Sequence, residues 1–581
     1  MTISFRSTLL IVMMLSLRAV AQPPSVSCNQ LGFYPNAPKT IIVTGGKSDR
    51  FYVVSVPDNK QVIEGKLTEP MASSNSGLVC QRADVAPLSA AGNYKLVVPG
   101  LDSVAFFSIS PAVNREVAIA ALKGFYYQRA SMPLEKKYAG EWARPEGHPD
   151  TAVLVHASAA TKERPEGTVI STPGGWYDAG DYNKYIVNSG ITMGTLLSAY
   201  EDFPDYFDSL STNIPESGNG IPDLLDELLY NLRWMLSMQD PADGGVYTKC
   251  TEASFCGMEM PDKVTVPRYV VQKSTAAALD FTAVMAQASR VFTKYKKQLP
   301  GLSDSCLNAA VRAWSWSTAN PSVEYNQDAM NKQFKPAITT GGYGDRSFKD
   351  EWYWASVELY ITTGNGVYAD AIRKYNGQAR NLPAWPNVGM LGGFSLIRFA
   401  AKLPLANELS QPVKDTVLRI AGDLVKLAAK NAFGTVIGGS KTDFTWGSNS
   451  LAANQGWLLI NAFFVSGDTS YLYHALSNID YLLGRNATGY SFVTGIGRRS
   501  TQHPHHRLSV ADGIAAPVPG LLAGGPNAQA IKQDKCTYSY TEPETMYTDE
   551  SCSYASNEIA INWNAPLVYL AAALEALMAG R

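Results

Sequence analysis

Apolar and polar residues alternate over short runs in the first hundred positions, which is the pattern of β-strands. Runs such as KTIIVTG, RFYVVSV and NYKLVVPG are separated by the turn-forming segments GGKSD and VPDNK. Short strands with frequent turns predict a small β-sandwich. We assign residues 22–110 to this β-rich domain.

The period of the apolar positions changes from that of strands to that of helices at Ser110-Pro111. Serine is a good N-cap and proline suits the first helical position. We therefore expect a helix to begin here. Its apolar positions follow helical spacing: Val113, Val117, Ala120, Ala121 and Phe125.

Two later segments, 355–375 and 459–483, share the order helix, glycine-centred turn, helix. Gly364 and Gly467 fit the left-handed position that ends a helix. A short link then makes the two helices antiparallel. Repeated hairpins predict a ring of paired helices, and the lack of a strict period of about 34 or 40 residues disfavours a solenoid.

Long non-helical segments interrupt the helical part. Segments of this length within a compact domain are usually functional. All are rich in glycine, proline, histidine, aspartate or aromatic residues, and they lie at 131–178, 241–272, 484–520 and 521–557.

The N-terminus has the pattern of a secretory signal peptide. Arg6 supplies a positive charge, Leu9–Leu17 is apolar except for Ser16, and Ala19-Val20-Ala21 offers small residues for cleavage. We expect residues 1–21 to be removed and the protein to be secreted or periplasmic; a retained anchor is the alternative. No later stretch is long and apolar enough to span a membrane.

Charge and cysteine content narrow the function further. A net charge of −2 argues against a nucleic-acid partner, and aromatic residues at 10% are enough for both a core and a binding cleft. The sequence contains seven cysteines and no C-x-x-C pair, so a cysteine-rich zinc site is not expected. An oxidising compartment permits disulfides. Conceivable pairs are Cys28–Cys80, Cys250–Cys256 and Cys536–Cys552, with Cys306 left over.

The segment GGWYDAGDYNKY, residues 174–185, sets two carboxylates three positions apart. One reading is a simple turn in which Asp178 bonds to its own backbone. The other is an acid–base site, because Asp178 and Asp181 lie among glycines and aromatic residues that can wall a sugar-binding cleft. That reading requires a partner acid elsewhere in the chain.

Glu558, in YTDESCSYASNEIAINWNAP (547–566), is the candidate partner. Asn564, followed by Ala565-Pro566, is the expected N-cap of the last helix, so Glu558 lies in the segment leading into that helix. The alternative is an ordinary capping or surface glutamate.

A third cluster, SFVTGIGRRSTQHPHHR, contains His503, His505 and His506, half of the six histidines. A metal site fits poorly with H-P-H-H on an extended loop. A serine–histidine nucleophile would need a G-x-S-x-G elbow, which the chain lacks. We favour a cluster of hydrogen-bond donors that, with Arg507, holds a polyhydroxylated ligand.

These three motifs together resemble glycoside hydrolase family 9, the inverting cellulases with an (α/α)6 barrel. The resemblance covers residues 111–581. The β-rich segment is similar to the immunoglobulin-like module that precedes the barrel in one branch of the family. The resemblance implies an endo-β-1,4-glucanase whose partner is a β-glucan polysaccharide or oligosaccharide.

The resemblance also implies roles for the three carboxylates. Asp181 matches the general base that activates water, Asp178 the carboxylate that helps to position the water, and Glu558 the general acid. Inversion requires an acid and a base about 6.5–9.5 Å apart. Clustered carboxylates raise one another's proton affinity, and Glu558 should be protonated at the working pH.

Other residues of the motifs are expected to bind substrate or to support the site. His505 and Arg507 match residues that bind sugar near the scissile bond. Tyr554 is expected at the substrate site, and Asp549 in support of it. Trp352, Trp354 and Trp446 could serve as stacking platforms or lie in the core.

No cofactor is expected for the chemistry. Relatives often carry zinc on two cysteines and two histidines. Here only His148 and His156 are present and no cysteine lies between 81 and 249, so this sequence departs from the family pattern and we expect the zinc site to be lost. A structural calcium is conceivable because calcium prefers oxygen ligands. Its candidate ligands are Glu216, Asn219 and Asp223, which could equally form the acidic start of a helix.

Several readings of the function stay open. No separate cellulose-binding module follows the barrel, which favours soluble or amorphous glucans over crystalline cellulose. We also expect a monomer. An exo-acting β-glucosidase or exo-glucosaminidase on the same fold is an alternative, as is a non-catalytic carbohydrate-binding protein. A metallohydrolase that uses the histidine cluster is a further rival.

Overall fold

The computed structural model describes residues 26–578, so the predicted signal peptide lies outside the described residues. The chain begins with eight strands. They are β1 (Val26–Ser27), β2 (Thr40–Thr44), β3 (Arg50–Ser55), β4 (Gln61–Lys66), β5 (Met71–Ala72), β6 (Val79–Asp84), β7 (Gly92–Val97) and β8 (Ala105–Ile109).

These strands form a β-sandwich of two four-stranded sheets, in the orders β1-β2-β6-β5 and β4-β3-β7-β8. The pairings within each sheet are antiparallel. Ile41 and Val43 on one sheet and Phe51, Val53 and Leu96 on the other share one buried core. The alternation of inward apolar residues along the strands therefore produces the predicted sandwich.

Helices dominate the rest of the described chain. They are α1 (Arg115–Tyr127), α2 (Lys136–Ala139), α3 (Ile186–Asp202), α4 (Pro204–Ser209), α5 (Asp223–Ser237), α6 (Thr275–Phe292), α7 (Leu302–Ala319), α8 (Gln327–Gln333), α9 (Lys349–Thr363), α10 (Gly366–Lys374), α11 (Gly389–Phe399), α12 (Pro404–Ala428), α13 (Ser448–Ser466), α14 (Thr469–Leu482), α15 (Arg507–Ala511), α16 (Ala530–Gln533), α17 (Tyr554–Asn557) and α18 (Ile561–Met578).

Twelve of the described helices form two concentric layers. The inner helices α3, α6, α9, α11, α13 and α18 are buried on most sides. The outer helices α1, α5, α7, α10, α12 and α14 bury one face, as amphipathic surface helices do. Consecutive inner helices contact each other, and Phe394 on α11 meets Trp457 on α13 at 4.8 Å between ring centroids. This is the predicted ring of paired helices.

The glycine-centred hairpins form as predicted. Gly364 lies between α9 and α10 with φ of 69°, and Gly467 lies between α13 and α14 with φ of 72°. Both are in the left-handed region, where a residue with a Cβ is disfavoured. Among the described residues, no helix is both long enough and apolar enough to cross a membrane.

Two helix starts differ from the sequence prediction. α1 begins at Arg115 after Asn114, not at Pro111 after Ser110. α18 begins at Ile561, so Asn564 is not its N-cap but lies inside the helix. There the Asn564 side chain accepts from the Leu522 amide and donates to the Ala121 carbonyl, which are tertiary contacts that sequence spacing does not reveal.

The long segments between the helices contain a third sheet. Its strands are β9 (Val153–Val155), β10 (Val169–Ile170), β11 (Lys184–Tyr185), β12 (Lys249–Glu252) and β13 (Arg268–Val270), in the order β10-β9-β13-β12-β11. Lys184 pairs with Cys250, and Tyr185 pairs with Lys249. The sheet thus carries the 174–185 segment on its edge.

Buried polar contacts join the sandwich to the helical domain. The Tyr34 hydroxyl donates to Glu575 Oε1 on α18 at 2.5 Å, and Asn29 Nδ2 donates to Asp480 Oδ1 on α14 at 2.9 Å. Arg82 Nε donates to the Ala432 carbonyl at 3.2 Å. Such buried and satisfied contacts fix the orientation of one domain on the other.

One of the three conceivable disulfides is present, between Cys536 and Cys552, whose Cα atoms lie 5.5 Å apart. Cys28 and Cys80 are both free, because Cys28 packs into the sandwich core while Cys80 packs with Phe433 in a different cluster.

The pair Cys250–Cys256 is also wrong. The Cys250 thiol contacts Thr172 and Asp150, whereas Cys256 packs against the separate cluster that contains Tyr182. Cys306 is free and buried in α7, as expected for the cysteine left over.

We expect the double variant C536S/C552S to be less stable than the wild type by about 3 kcal/mol, because the disulfide closes a loop of 16 residues that stays open in the unfolded variant. Thermal unfolding with and without dithiothreitol measures this. Reduction should lower the melting temperature of the wild type and of the control C306A, but not that of the double variant. An equal response of all three proteins would contradict the prediction.

Candidate active site

The turn at 178–181 is held against the start of α18 by the main chain. The Ile561 amide donates to the Asp178 carbonyl at 2.9 Å, and Ala179 pairs with Ala560 as an antiparallel bridge. Gly180 must be glycine, because a Cβ there would lie 2.1 Å from the His505 carbonyl oxygen. Backbone packing therefore brings the two predicted carboxylate motifs side by side.

Asp178 is buried and accepts two side-chain hydrogen bonds. Asn188 on α3 donates to Oδ1, and the Tyr343 hydroxyl donates to Oδ2 at 2.7 Å. Burial, and then the charge of Asp181, raise the pKa of Asp178 to about 8. The two hydrogen bonds favour the ionised form but do not outweigh these effects.

Asp181 is buried beside Asp178 but has a different environment. Its Oδ2 accepts from Asn183 Nδ2 at 2.5 Å and from the Tyr185 hydroxyl at 3.1 Å. Burial raises the pKa of Asp181, while the nearby Arg507 guanidinium opposes this rise. Because the cation favours the ionised form of Asp181, Asp181 is the better candidate of the two aspartates to carry a negative charge.

Glu558 lies between the short helix α17 and α18. Its backbone is fixed on both sides, since its carbonyl accepts from the Gly524 amide at 2.8 Å and its strand-like segment bridges to His505. Burial, followed by the charges of Asp181 and Asp178, raises the pKa of Glu558 well above its usual value. These effects favour the protonated form of this carboxyl group.

The three histidines of the 490–507 segment do not converge on one point. His505 Nδ1 lies 2.6 Å from the Ser551 carbonyl, and His506 Nε2 lies 3.0 Å from Gln128 Oε1. His503 donates its amide to Asp549. Within residues 26–578, no group of three or more histidine, cysteine, aspartate or glutamate side chains is arranged to hold a metal.

His505 faces the cleft with Nε2. Because Nδ1 contacts a carbonyl, it carries the proton, and because burial lowers the pKa of His505, the ring is neutral and Nε2 is an acceptor. The histidine cluster predicted a donor here, and His505 instead offers an acceptor for a hydroxyl. Asp549 accepts from the amides of Gln502 and His503 and so fixes this loop, the supporting part expected of it.

Arg507 is mostly occupied by main-chain acceptors. Its Nη1 donates to the Gly180 carbonyl at 2.9 Å, and Nε and Nη2 donate to the Cys256 carbonyl at 3.2 and 3.0 Å. The guanidinium also lies 5.6 Å from the Phe255 ring centroid. It therefore ties the turn at Gly180 to the 253–268 loop as well as lining the cleft.

Two cavities meet at Glu558. One of about 450 Å³ is lined by the two aspartates, Glu558 and the predicted binding residues His505, Arg507 and Tyr554. The other, of about 540 Å³, is lined by Trp385, Trp446 and Trp563 among others. The cavities have five lining residues in common, namely Ala179, Gly341, Tyr343, Trp446 and Glu558. Together they form one groove that continues past Glu558.

The candidate tryptophans separate into two groups. Trp446 is 43% exposed and its ring packs against Tyr554 at 5.6 Å between centroids. Trp352 and Trp354 are buried in the helical core on α9 and cannot act as platforms.

Several residues of the site were missed by sequence reasoning. Tyr343 and Phe255 lie in segments without a recognised motif, although the glycine-rich run TTGGYGD around Tyr343 is a signal of close backbone approach. Tyr185 and Asn183 were inside the quoted motif, but their contacts with Asp181 depend on the turn geometry.

The candidate calcium ligands already have protein partners. Glu216 accepts two hydrogen bonds of 3.0 Å from Arg129, and Asp223 Oδ2 accepts from the Thr212 amide at 2.6 Å. Asn219 Nδ2 donates to Asp226 at 3.1 Å. These contacts leave Glu216 and Asp223 without a shared open site, so the calcium prediction gains no support from this geometry.

The two histidines near the turn are also engaged. His148 Nδ1 lies 2.9 Å from the Tyr177 hydroxyl and Nε2 lies 3.3 Å from Glu252. His156 Nε2 lies 2.9 Å from the Pro336 carbonyl. The histidines have separate partners and do not face each other across a common site.

The chain is similar over almost its whole length to characterised relatives. It is 46% identical over 569 residues to a xyloglucan-specific endo-β-1,4-glucanase of Bacteroides ovatus, covering 96% of each chain. It is 33% identical over 555 residues to endoglucanase D of Acetivibrio thermocellus, covering 94% of this chain and 82% of the relative.

A solved structure shows the same similarity in three dimensions. The family 9 glycoside hydrolase structure from Bacteroides ovatus superposes with a TM-score of 0.91 at 45% identity, covering 95% of this chain and 99% of that one. The cellulase N-terminal Ig-like domain model matches residues 21–103. The glycosyl hydrolase family 9 model matches residues 115–571, which contain all three carboxylates of the cleft. With the motifs, the ring of paired helices and this match in agreement, the chain belongs to glycosyl hydrolase family 9.

Proposed function

We propose that this protein is an inverting endo-β-1,4-glucanase in which Asp181 is the general base, Asp178 helps to orient the water and Glu558 is the general acid. One observation carries the proposal: the three buried carboxyl groups line a single cavity, in which burial and the charge of Asp181 raise the pKa of Glu558, while Arg507 and two hydrogen-bond donors oppose the rise that burial causes at Asp181. An acid and a base of this kind on either side of a glycosidic bond are what inversion requires.

In the proposed reaction, ionised Asp181 removes a proton from a water molecule that attacks the anomeric carbon. Asp178, fixed by Asn188 and Tyr343, offers a second group to hold that water. The C–O bond to the leaving sugar breaks as the new bond forms on the opposite face, so the anomeric configuration inverts.

Protonated Glu558 donates its proton to the departing glycosidic oxygen. Burial raises the pKa of Glu558 and so favours the protonated form that donates, and the nearby aspartate charges add to this effect. After one turnover Glu558 is ionised and Asp181 is protonated, and exchange with solvent restores both.

The groove favours internal cleavage. Because the cavity lined by Trp385, Trp446 and Trp563 continues beyond Glu558, a glucan chain can extend to both sides of the scissile bond. An exo-acting enzyme needs a groove that is closed near the acid, so the β-glucosidase and exo-glucosaminidase readings are less well supported.

Xyloglucan is the substrate that we propose first. The relative with 46% identity over 96% of both chains is named for this substrate. An aromatic groove of about 540 Å³ leaves room for a glucan that carries side-chain sugars. We further propose that the enzyme is exported, as the N-terminal pattern predicts, and acts as a monomer without a cofactor in the chemistry.

We expect both D181N and E558Q to lose at least about 10²-fold in kcat on xyloglucan, because each removes one proton-transfer group. Reducing-sugar release measures the rate, and proton NMR of fresh products reports the anomeric form, which should be inverted. Oligosaccharide binding, measured by calorimetry, should persist in both variants.

A substrate whose leaving group needs no proton distinguishes the role of Glu558 from that of Asp181. E558Q should recover much of its rate on a dinitrophenyl cello-oligosaccharide, whose leaving group needs no proton, whereas D181N should not. The exposed-aspartate variant D370N should behave as the wild type. Products of retained configuration, or equal recovery of both variants, would refute the assignment.

The dependence of kcat/KM on pH should be bell-shaped. Activity needs ionised Asp181, so kcat/KM should fall as the pH drops through the raised pKa of Asp181. Activity also needs protonated Glu558, so kcat/KM should fall as the pH rises through the raised pKa of Glu558. The Arg507 cation lowers both pKa values, so R507Q should move both limbs to higher pH. If both limbs of the R507Q profile stay at their wild-type pH values, the proposed effect of Arg507 on the two pKa values is wrong.

We expect W446A to raise the KM for xyloglucan about tenfold with little change in kcat. The exposed ring offers an apolar face to a sugar that lies away from the reacting bond. A tenfold change in KM corresponds to about 1.4 kcal/mol of binding free energy. Initial rates across substrate concentrations measure the two constants. The matched control is F464A, which removes an aromatic side chain of similar exposure, 41%, outside the groove. Equal KM values for W446A and the wild type would show that the ring does not contact substrate.

A further inference from the structure

Lys249 on β12 is a fully buried lysine directly behind the active site. Its ammonium group donates to Gln327 Oε1 at 2.7 Å, to Thr340 Oγ1 at 3.0 Å and to the Gly341 carbonyl at 2.7 Å. These three bonds use all three of its protons, and all three acceptors are neutral. Burying an ammonium group is costly, so a position of this kind calls for an explanation.

One chain of contacts leads from Lys249 to Asp181 through Gly341. The Gly341 residue that accepts from Lys249 also donates its amide to the Tyr185 hydroxyl at 3.0 Å. The Tyr185 hydroxyl in turn donates to Asp181 Oδ2 at 3.1 Å. Lys249 thus holds the residue that orients the tyrosine on the proposed base.

A second chain runs through Thr340. Its hydroxyl lies 2.6 Å from that of Thr251, which donates to Asn183 Oδ1 at 2.9 Å. Asn183 Nδ2 donates to Asp181 Oδ2 at 2.5 Å. Both donors to Asp181 are therefore connected to the same ammonium group.

The segment that Lys249 holds also contacts Asp178. Tyr343 lies two positions after Gly341 and donates to Asp178 Oδ2 at 2.7 Å. Its ring packs edge-on against Tyr185 at 4.9 Å between centroids. Fixing Gly341 therefore fixes the tyrosines that bond both aspartates.

The charge of Lys249 also faces the site. Its ammonium lies 5.4 Å from the ring centroids of both Tyr185 and Tyr325, and the carboxylate that interacts with it electrostatically is Asp181. Attraction between two charges is mutual, so the ammonium group favours ionised Asp181. Burial lowers the pKa of Lys249 to about 7, and Asp181 opposes that decrease.

We propose that Lys249 is a positioning residue that fixes the 340–343 segment beneath the catalytic aspartates, so that Tyr185, Asn183 and Tyr343 hold them in place, and that its cation keeps Asp181 ionised. This proposal rests on the proposed function of Asp181 as the general base. Lys249 does not line the groove, and its effect reaches the substrate only through the aspartates.

The test compares K249M with K39M. Lys39 is also fully buried and also donates to three neutral acceptors, the carbonyls of Pro35, Ala37 and Ala86, but it lies in the β-sandwich. We expect K249M to lose about 10²-fold in kcat on xyloglucan with little change in KM, because the reacting groups are misplaced. The acid limb of its kcat/KM profile should move up by about one pH unit. K39M should lose stability but keep both the wild-type kcat and the wild-type profile.

K249Q tests the proposal even if K249M fails to fold, because glutamine keeps part of the hydrogen bonding while removing the charge. It should fold, lose less kcat than K249M and show the same shift of the acid limb. A wild-type profile in K249Q, or an equal loss in K39M, would overturn the proposal.

A crystal structure of K249Q or K249M gives a readout that does not depend on activity. The proposal expects the Gly341–Tyr185 and Tyr343–Asp178 contacts to lengthen or break, and their retention would refute it. If the wild type hydrolysed no β-1,4-glucan, the proposed function would fail, while these contacts would still decide whether Lys249 positions the aspartates.

Discussion

The main-chain pairing of Ala179 with Ala560 is the contact on which the active site depends. It joins the first long segment of the helical domain to the entry of its last helix, and the Ile561–Asp178 hydrogen bond continues it. Because the ring of helices is closed, its two ends meet here. Without that closure, Glu558 and the two aspartates would belong to distant parts of the chain and could not act on one bond.

The site contains three buried carboxyl groups in one cavity, an arrangement that is unfavourable unless each charge is offset or removed by a proton. The carboxyl groups differ in how their charge is offset or removed. Burial and the aspartate charges favour the protonated form of Glu558, while Arg507 and neutral donors favour Asp181 as an anion against the effect of its burial. A protonated carboxyl group beside an anionic one is also what acid–base catalysis of an inverting reaction uses.

The β-sandwich contributes to the same architecture from outside. The Tyr34 hydroxyl and the Asn114 amide both donate to Glu575 Oε1, which joins the sandwich and the start of α1 to α18. Since α18 begins three residues after Glu558, this contact helps to fix the helix that follows Glu558. The immunoglobulin-like domain therefore supports the catalytic domain and is not a freely attached module.

The sequence by itself determined the order of the elements and the family, and it predicted the chemistry. The change of apolar period from strands to helices, the glycines at 364 and 467 and the three motifs are local signals, and each predicted a feature found in the structure or in the family. Only the tertiary structure decided that His505 presents an acceptor, that Arg507 is bound mainly to carbonyls, and that Cys28 and Cys250 stay free. It alone brought Lys249 and Tyr343 to the aspartates. The physical reason is that these features depend on contacts between segments far apart in the chain, and neither periodicity nor spacing within one segment carries that information.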